Sequence, residues 1–144
     1  MLNALSLAGL AASFCALFWL FLRGALVAAG PAGLAVQGLS ICLMVWARLT
    51  FGRRSFRPGP APSEGGLVTT GPYRYLRHPI YAAALYLTWA GVLTHPGPFN
   101  FLLGLVPVAG LGARMLAEER LVAEKYPEYA AYAARTARAV PFLF

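Results

Sequence analysis

The sequence is poor in charge. Only 12% of its 144 residues are Asp, Glu, Lys or Arg, and just five of them are acidic. Ordinary soluble domains carry about 25% charged residues. This composition, with 59% hydrophobic residues, therefore excludes a typical soluble enzyme. It predicts a single polytopic membrane domain instead.

Cysteine and N-terminal basic residues are also scarce. The two cysteines, Cys15 and Cys42, each lie inside an apolar run, with no cysteine or histidine at ligand spacing. This pattern argues against a disulfide or a metal site, so we predict that no metal is bound. No basic residue precedes the first apolar run, whose length of about 20 residues exceeds the usual core of a cleaved signal peptide. We therefore expect a retained membrane span.

Long apolar runs make up most of the chain. They predict an all-α integral membrane protein with about four transmembrane segments. Residues 1–47 would hold two N-terminal spans, and residues 80–116 a helical hairpin that His95 and the following prolines interrupt. The first arm of the hairpin would reach only about 22 Å, against a bilayer core of about 30 Å. Pro107 should kink the second arm. The predicted helices cover residues 2–22, 32–47, 79–93 and about 99–116.

Basic residues lie on one side of this four-segment arrangement. All but one of the 12 lysines and arginines fall within residues 48–77 or 114–138, and the exception is Arg23. The positive-inside rule therefore places both stretches, and both termini, in the cytoplasm. We expect residues 48–79 to form a cytoplasmic basic loop with a polar motif at its end. Residues 117–144 would form a cytoplasmic tail with interfacial helices.

The polar motif, GPYRYLRHPIY, occupies residues 71–81. His78 and Pro79 mark a helix entrance, because proline suits the first helical turn and disfavours helical geometry in the residue before it. The free N–H groups of that helix, together with Arg77, would suit a carboxylate or phosphate. Tyr81 would stack on a flat or cationic ligand. The alternative is that the arginines contact lipid phosphates and the tyrosines anchor the interface.

A second polar cluster follows the last apolar run. Arg114 and Glu118 are four residues apart on one face of a helix, whereas Glu119 points elsewhere. An intrahelical salt bridge would explain the first two residues. Carboxylates beside a membrane are nevertheless costly without partners, and these would suit ribose hydroxyls or a ligand ammonium. If the chain folds back so that the two clusters meet, they form a charged pocket at the membrane surface.

Together, these segments resemble the isoprenylcysteine carboxyl methyltransferase family and the related phospholipid N-methyltransferases. That family has a Gly-Pro-Tyr-x-x-x-Arg-His-Pro-x-Tyr segment, a hydrophobic hairpin, a Glu-Glu pair and a tyrosine-containing tail. One departure is Ala83, where the family often has glycine. The matching residues, all within about residues 65–142, are Gly71, Pro72, Tyr73, Arg77, His78, Pro79, Tyr81, Glu118, Glu119, Tyr126, Pro127, Tyr129, Tyr132 and Pro141.

The resemblance implies an integral-membrane methyltransferase that uses S-adenosylmethionine and releases S-adenosylhomocysteine. Its substrate would be a lipophilic or small hydrophobic acceptor at the cytoplasmic membrane interface, methylated on oxygen, nitrogen or sulfur. Arg114 and Glu118 would be the catalytic residues nearest the acceptor. The implied cofactor-binding residues are Tyr73, Arg77, His78, Tyr81, Glu118 and Glu119.

Two other functions fit parts of the sequence. A sterol-reductase-like membrane enzyme would use NADPH and would share the hairpin and the His-Pro-x-Tyr turn. Two glutamates stand here, however, where such enzymes carry a segment suited to a nucleotide phosphate. A non-catalytic anchor or small subunit would bind no nucleoside. The basic run at residues 48–57 would suggest nucleic acid in isolation, but beside a span it marks topology and contact with anionic lipid, so no nucleic-acid partner is expected.

Overall fold

A computed structural model describes residues 2–52 and 66–140, with side chains from Ser6 onward. Helices joined by short connections make up this part of the chain. This confirms the predicted all-α class, and no named strand occurs in those two ranges. Pro141 and residues 53–65 of the basic loop lie outside these ranges. The α-helices of the described residues are α1 (Leu2–Leu22), α2 (Gly30–Phe51), α3 (Pro79–Thr94), α4 (Pro98–Lys125) and α5 (Tyr129–Ala133).

The helices differ from the predicted ones mainly in where they end. α2 begins at Gly30 with a proline in its first turn, and it continues to Phe51. α4 runs on to Lys125, because residues 117–125 are good helix formers although they are polar. The expected interfacial tail helix is shorter than predicted, since α5 has only 5 residues. α4 is apolar as far as Ala113, so its charged last turns extend beyond the apolar part of the bundle.

Among the described residues, α2 and α4 are long and apolar enough to cross a membrane. The apolar stretch of α1 from Ser6 and the whole of α3 are shorter. The outward surface is strongly apolar: Leu49 is 77% exposed and Leu39 is 70% exposed. Soluble monomers rarely expose such extended apolar surface, whereas lipid chains cover it without cost. The protein is an integral membrane protein.

The helices pack as two antiparallel pairs, α1 with α4 and α2 with α3. At one end of the first pair, Arg23 Nε donates to Asn100 Oδ1 at 2.8 Å. At the other end, Arg114 Nη1 donates to Ser6 Oγ at 3.4 Å. The start of α1, the end of α4 and the motif therefore share one end of the bundle, and the connection after Arg23 lies at the opposite end.

Gln37 joins the second pair through a buried amide. Its Oε1 accepts from the Ala28 N–H at 3.0 Å, and its Nε2 donates to the carbonyls of Leu26 at 2.7 Å and Leu87 at 3.0 Å. An amide buried among apolar helices is costly unless it is hydrogen-bonded. These bonds fix α2 against α3 and against the connection that precedes α2.

Two glycines let α1 and α4 approach closely. A Cβ added at Gly110 would stand 2.4 Å from the carbonyl oxygen of Gly9 and 2.6 Å from Ser13 Oγ. The Ser13 hydroxyl could rotate away, but the contact with the Gly9 backbone oxygen is not possible without moving a helix. Small residues at such a crossing are a common means of helix association in membranes, because they permit backbone contact.

We predict that Gly110→Ala lowers the thermal stability of the protein in detergent. Alanine is favoured over glycine in a helix by about 1 kcal/mol, but forced overpacking costs about 1–3 kcal/mol, so the clash with Gly9 dominates. Gly112→Ala is the matched control on the same helix, since its added Cβ meets nothing within 4 Å. Circular-dichroism melting compares the two, and a Gly110→Ala protein that melts as high as the control would contradict this account of the crossing.

Candidate functional site

The motif and the C-terminal tail are joined through their backbones. The Arg77 N–H donates to the Ala137 carbonyl at 2.8 Å, and the His78 N–H donates to the Arg138 carbonyl at 3.0 Å. Leu76 and Ala137 pair as a parallel bridge. His78 then caps α3, which begins at Pro79 as the sequence predicts. The tail thus fixes the direction in which the motif side chains leave the chain.

Arg77 connects the motif to both α4 and the tail. Its Nε donates to Glu119 Oε1 at 3.1 Å, while its Nη1 donates to the carbonyls of Ala133 at 2.6 Å and Thr136 at 2.8 Å. The side chain is only 9% exposed. The predicted meeting of the two polar clusters is therefore confirmed, and Arg77 holds them together.

Glu119 contacts three basic or imidazole side chains of the cluster. Besides Arg77, its carboxylate contacts His78 Nε2 at 3.2 Å and receives two hydrogen bonds from Arg138, at 3.0 and 2.9 Å. Burial alone would raise its pKa, but the hydrogen bonds from His78 and Arg138 and the nearby charges bring the pKa down to about 2. Glu119 is therefore ionised across the physiological pH range.

Glu118 belongs to a second set of contacts on the neighbouring face of α4. Its Oε1 accepts from the Tyr81 hydroxyl at 2.7 Å and from Arg114 Nε at 3.0 Å. Arg114 Nε also donates to the Tyr81 oxygen at 2.7 Å, and Arg114 is 4% exposed. The predicted intrahelical pair is real, and it forms part of a three-residue network that includes α3.

His78 lies between the two glutamates. Its Nε2 is 3.2 Å from Glu119 Oε1, and its Nδ1 is 3.7 Å from Glu118 Oε2. Its ring stacks on Tyr81, with centroids 5.6 Å apart and planes 16° apart. The motif therefore supplies one imidazole that touches both acidic side chains of α4.

Tyr73 does not join these side-chain contacts. It is 6% exposed, and its ring packs against Phe51 at the end of α2, with centroids 5.4 Å apart. Its carbonyl accepts from the Tyr132 hydroxyl at 2.7 Å. Burial raises the pKa of Tyr132 to about 12, so that hydroxyl keeps the proton it donates. Tyr73 helps to place the motif beside the cluster.

Two residues of the network were missed by the sequence analysis. Arg138 follows the tyrosine-containing tail and forms a bidentate pair with Glu119. The only sign of its role in the sequence was that a basic residue stands shortly before Pro141. Ser6 reaches Arg114 from α1, and a serine in an apolar run gives no sign of such a distant partner.

The cluster offers one carboxylate oxygen that is not saturated. Among the described residues, Glu118 Oε2 has the 3.7 Å contact with His78 but no hydrogen bond, and the Glu118 side chain is 20% exposed. A carboxylate oxygen beside an imidazole and a tyrosine ring fits a hydroxyl or ammonium donor. No group of three or more His, Cys, Asp or Glu residues within the described ranges is placed to hold a metal ion.

A groove of about 720 Å³ lies on another side of the motif, between α2, α3 and the tail. Leu76 and Thr136 are among the residues that line it. Thr136 also offers its carbonyl to Arg77, so the motif and the tail contribute to both the groove and the charged cluster. The glutamates and His78 do not line the groove.

Comparison with known proteins agrees with the resemblance noted in the sequence. A cobalt-zinc-cadmium resistance protein, CzcN of Cupriavidus metallidurans, is 36% identical over 78 residues, which are 54% of this chain and 36% of that protein. The chain thus spans about a third of the length of this curated relative. No solved structure matches. The phospholipid methyltransferase family matches residues 28–129, which include α2, α3, α4 and the cluster from Arg77 to Glu119. The chain therefore belongs to the phospholipid methyltransferase family.

Proposed function

We propose that the protein is an S-adenosylmethionine-dependent methyltransferase that acts on a lipophilic acceptor at the membrane interface. Family membership supports methyl transfer. The observation that carries the proposal is the position of His78, which lies between Glu118 and Glu119 at the charged end of the bundle. A nucleoside cofactor carries hydroxyl and ammonium donors that such carboxylates recognise.

We also propose that all four long helices cross the membrane, with the cluster on the cytoplasmic side. α1 lies antiparallel to α4, and α3 lies antiparallel to α2, so each of the two shorter helices has a neighbour of spanning length. The charged C-terminal end of α4, the motif and Arg138 lie at one end of the bundle. Arg23 lies at the other end. The positive-inside rule supports this orientation.

The residues of the cluster divide into two proposed roles. S-adenosylmethionine, when bound, supplies a methyl group on a positively charged sulfur. Glu118 would accept a hydrogen bond from the cofactor through Oε2, beside the stacked rings of His78 and Tyr81. Arg77 and Arg138 would position Glu119, to which both are hydrogen-bonded. The cofactor-binding role of Tyr73 stays a prediction.

Arg114 and Glu118 are the residues we propose nearest the acceptor. Arg114 is buried beside the membrane and donates to Glu118 and Tyr81. Transfer of a methyl group to a carboxylate or a neutral amine needs alignment and exclusion of water rather than a strong base. Arg114 is buried, so water is excluded around it, and its hydrogen bonds to Glu118 and Tyr81 fix the position of its side chain.

We predict that Glu118→Gln weakens binding of S-adenosylhomocysteine by about 10- to 100-fold, because a hydrogen bond to a charged group contributes about 1.5–3 kcal/mol. Isothermal titration of the purified protein measures the change. Glu124→Gln is the matched control, since Glu124 lies on the same helix and is exposed. Equal affinities for S-adenosylhomocysteine in the two variants would contradict the proposal that Glu118 binds the cofactor. Tight binding of NADPH, with no binding of S-adenosylhomocysteine, would favour the reductase alternative.

A second prediction concerns the reaction itself. The purified protein, incubated in native lipid extract with methyl-labelled S-adenosylmethionine, should yield labelled material in the organic phase, and Glu118→Gln should reduce the yield by at least tenfold. Mass spectrometry of the labelled product identifies the acceptor and the methylated atom. If wild-type protein that binds S-adenosylhomocysteine leaves the whole extract unlabelled, the proposed lipophilic acceptor is wrong.

A further inference from the structure

The groove of about 720 Å³ beside the motif has the size of a ligand site, since such clefts measure about 300–1,000 Å³. Leu43 of α2 contributes to its apolar wall, and Arg74 and Arg135 also line it. No acidic residue is among the described residues that line it. The groove therefore combines an apolar surface with positive charge and has no negative charge to balance it.

The two arginines of the groove differ from those of the charged cluster. Arg77, Arg114 and Arg138 each pair with a glutamate. Arg74 and Arg135 are exposed, and neither side chain forms a hydrogen bond or ion pair within the described ranges; the guanidinium of Arg74 lies over the ring of Tyr75, 6.0 Å from its centroid. Two unpaired cations at one groove attract an anion.

Aromatic residues indicate where the groove lies relative to the bilayer. Trp46, Tyr75 and Tyr86 all line it, and the Tyr86 hydroxyl donates to the Ala139 carbonyl at 2.6 Å. Tryptophan and tyrosine are enriched at the level of lipid headgroups, because each has an apolar ring and a polar atom. Trp46 stands in the penultimate turn of α2, a helix long enough to span the membrane. These aromatic residues favour a position of the groove at headgroup level, with α2 leading from it into the bilayer.

We propose that this groove binds an anionic phospholipid. Its phosphate contacts Arg74 and Arg135, and its acyl chains lie along α2 past Leu43. The lipid also contacts the tail at Ala134 and Ala137. The backbone of Ala137 is hydrogen-bonded to the motif. Charge and apolar surface together select the ligand: a free anion gains nothing from the apolar wall, and a zwitterionic lipid gains less from the arginines. The proposal does not depend on the methyltransferase reaction.

Native mass spectrometry of the detergent-purified protein, titrated with phosphatidylglycerol or phosphatidylcholine, tests the proposal. The wild-type protein should bind phosphatidylglycerol more tightly than phosphatidylcholine. Each arginine near anionic lipid contributes about fivefold in affinity, so the double variant Arg74→Gln with Arg135→Gln should bind it about 25-fold more weakly. The control, Arg120→Gln with Lys125→Gln, removes the same charge from exposed positions on α4. It should change affinity by less than twofold.

A second variant tests the apolar part of the groove. Ala134→Trp fills the groove from an exposed position and should weaken binding of phosphatidylglycerol at least tenfold, with an unchanged circular-dichroism spectrum. Equal wild-type affinity for the two lipids would overturn the proposal. So would wild-type affinity in the arginine double variant, a loss in the control as large as in that variant, or binding of inorganic phosphate as tight as that of the lipid.

Discussion

The charged end of the molecule depends on the ionised carboxylate of Glu119 and the groups that it holds together. It binds Arg77 and His78 from the motif and Arg138 from the tail. Without this anion, the side chains of Arg77 and Arg138 would have no carboxylate partner among the described residues, and uncompensated buried charge is costly. Glu119 thereby attaches the paired motif and tail to α4. The same attachment brings Tyr81 within hydrogen-bonding distance of Glu118.

The helices themselves were largely predictable, because long uncharged runs have few alternatives in a membrane. α1 ends where the charge at Arg23 begins, and α3 starts at Pro79 as its His-Pro pair indicated. Prediction was poorer at the polar ends. α4 continues well past the apolar run since glutamate, alanine and lysine favour a helix as well as leucine does, so hydropathy alone cannot locate its last turn.

The sequence predicted which residues form the site better than it predicted which of them are in contact. The family motif brought Arg77, His78, Tyr81 and the two glutamates together, and the structure places them within hydrogen-bonding networks. Arg138 and Ser6 were not foreseen, because their partners are distant in sequence and neither belongs to a recognisable spacing. Which residues share a helix face follows from periodicity, whereas which faces meet follows only from the packing.

The contact between Ser6 and Arg114 extends the site to the first helix of the chain. α1 precedes the region matched to the family, which begins at residue 28, yet it packs against α4 at the Gly9–Gly110 crossing. The tail that carries Arg138 likewise follows that region, which ends at residue 129. The region that matches the family thus contacts a flanking segment on each side, and substitutions in those two segments would change the surroundings of Arg114 and Glu119 while every residue from 28 to 129 stays the same.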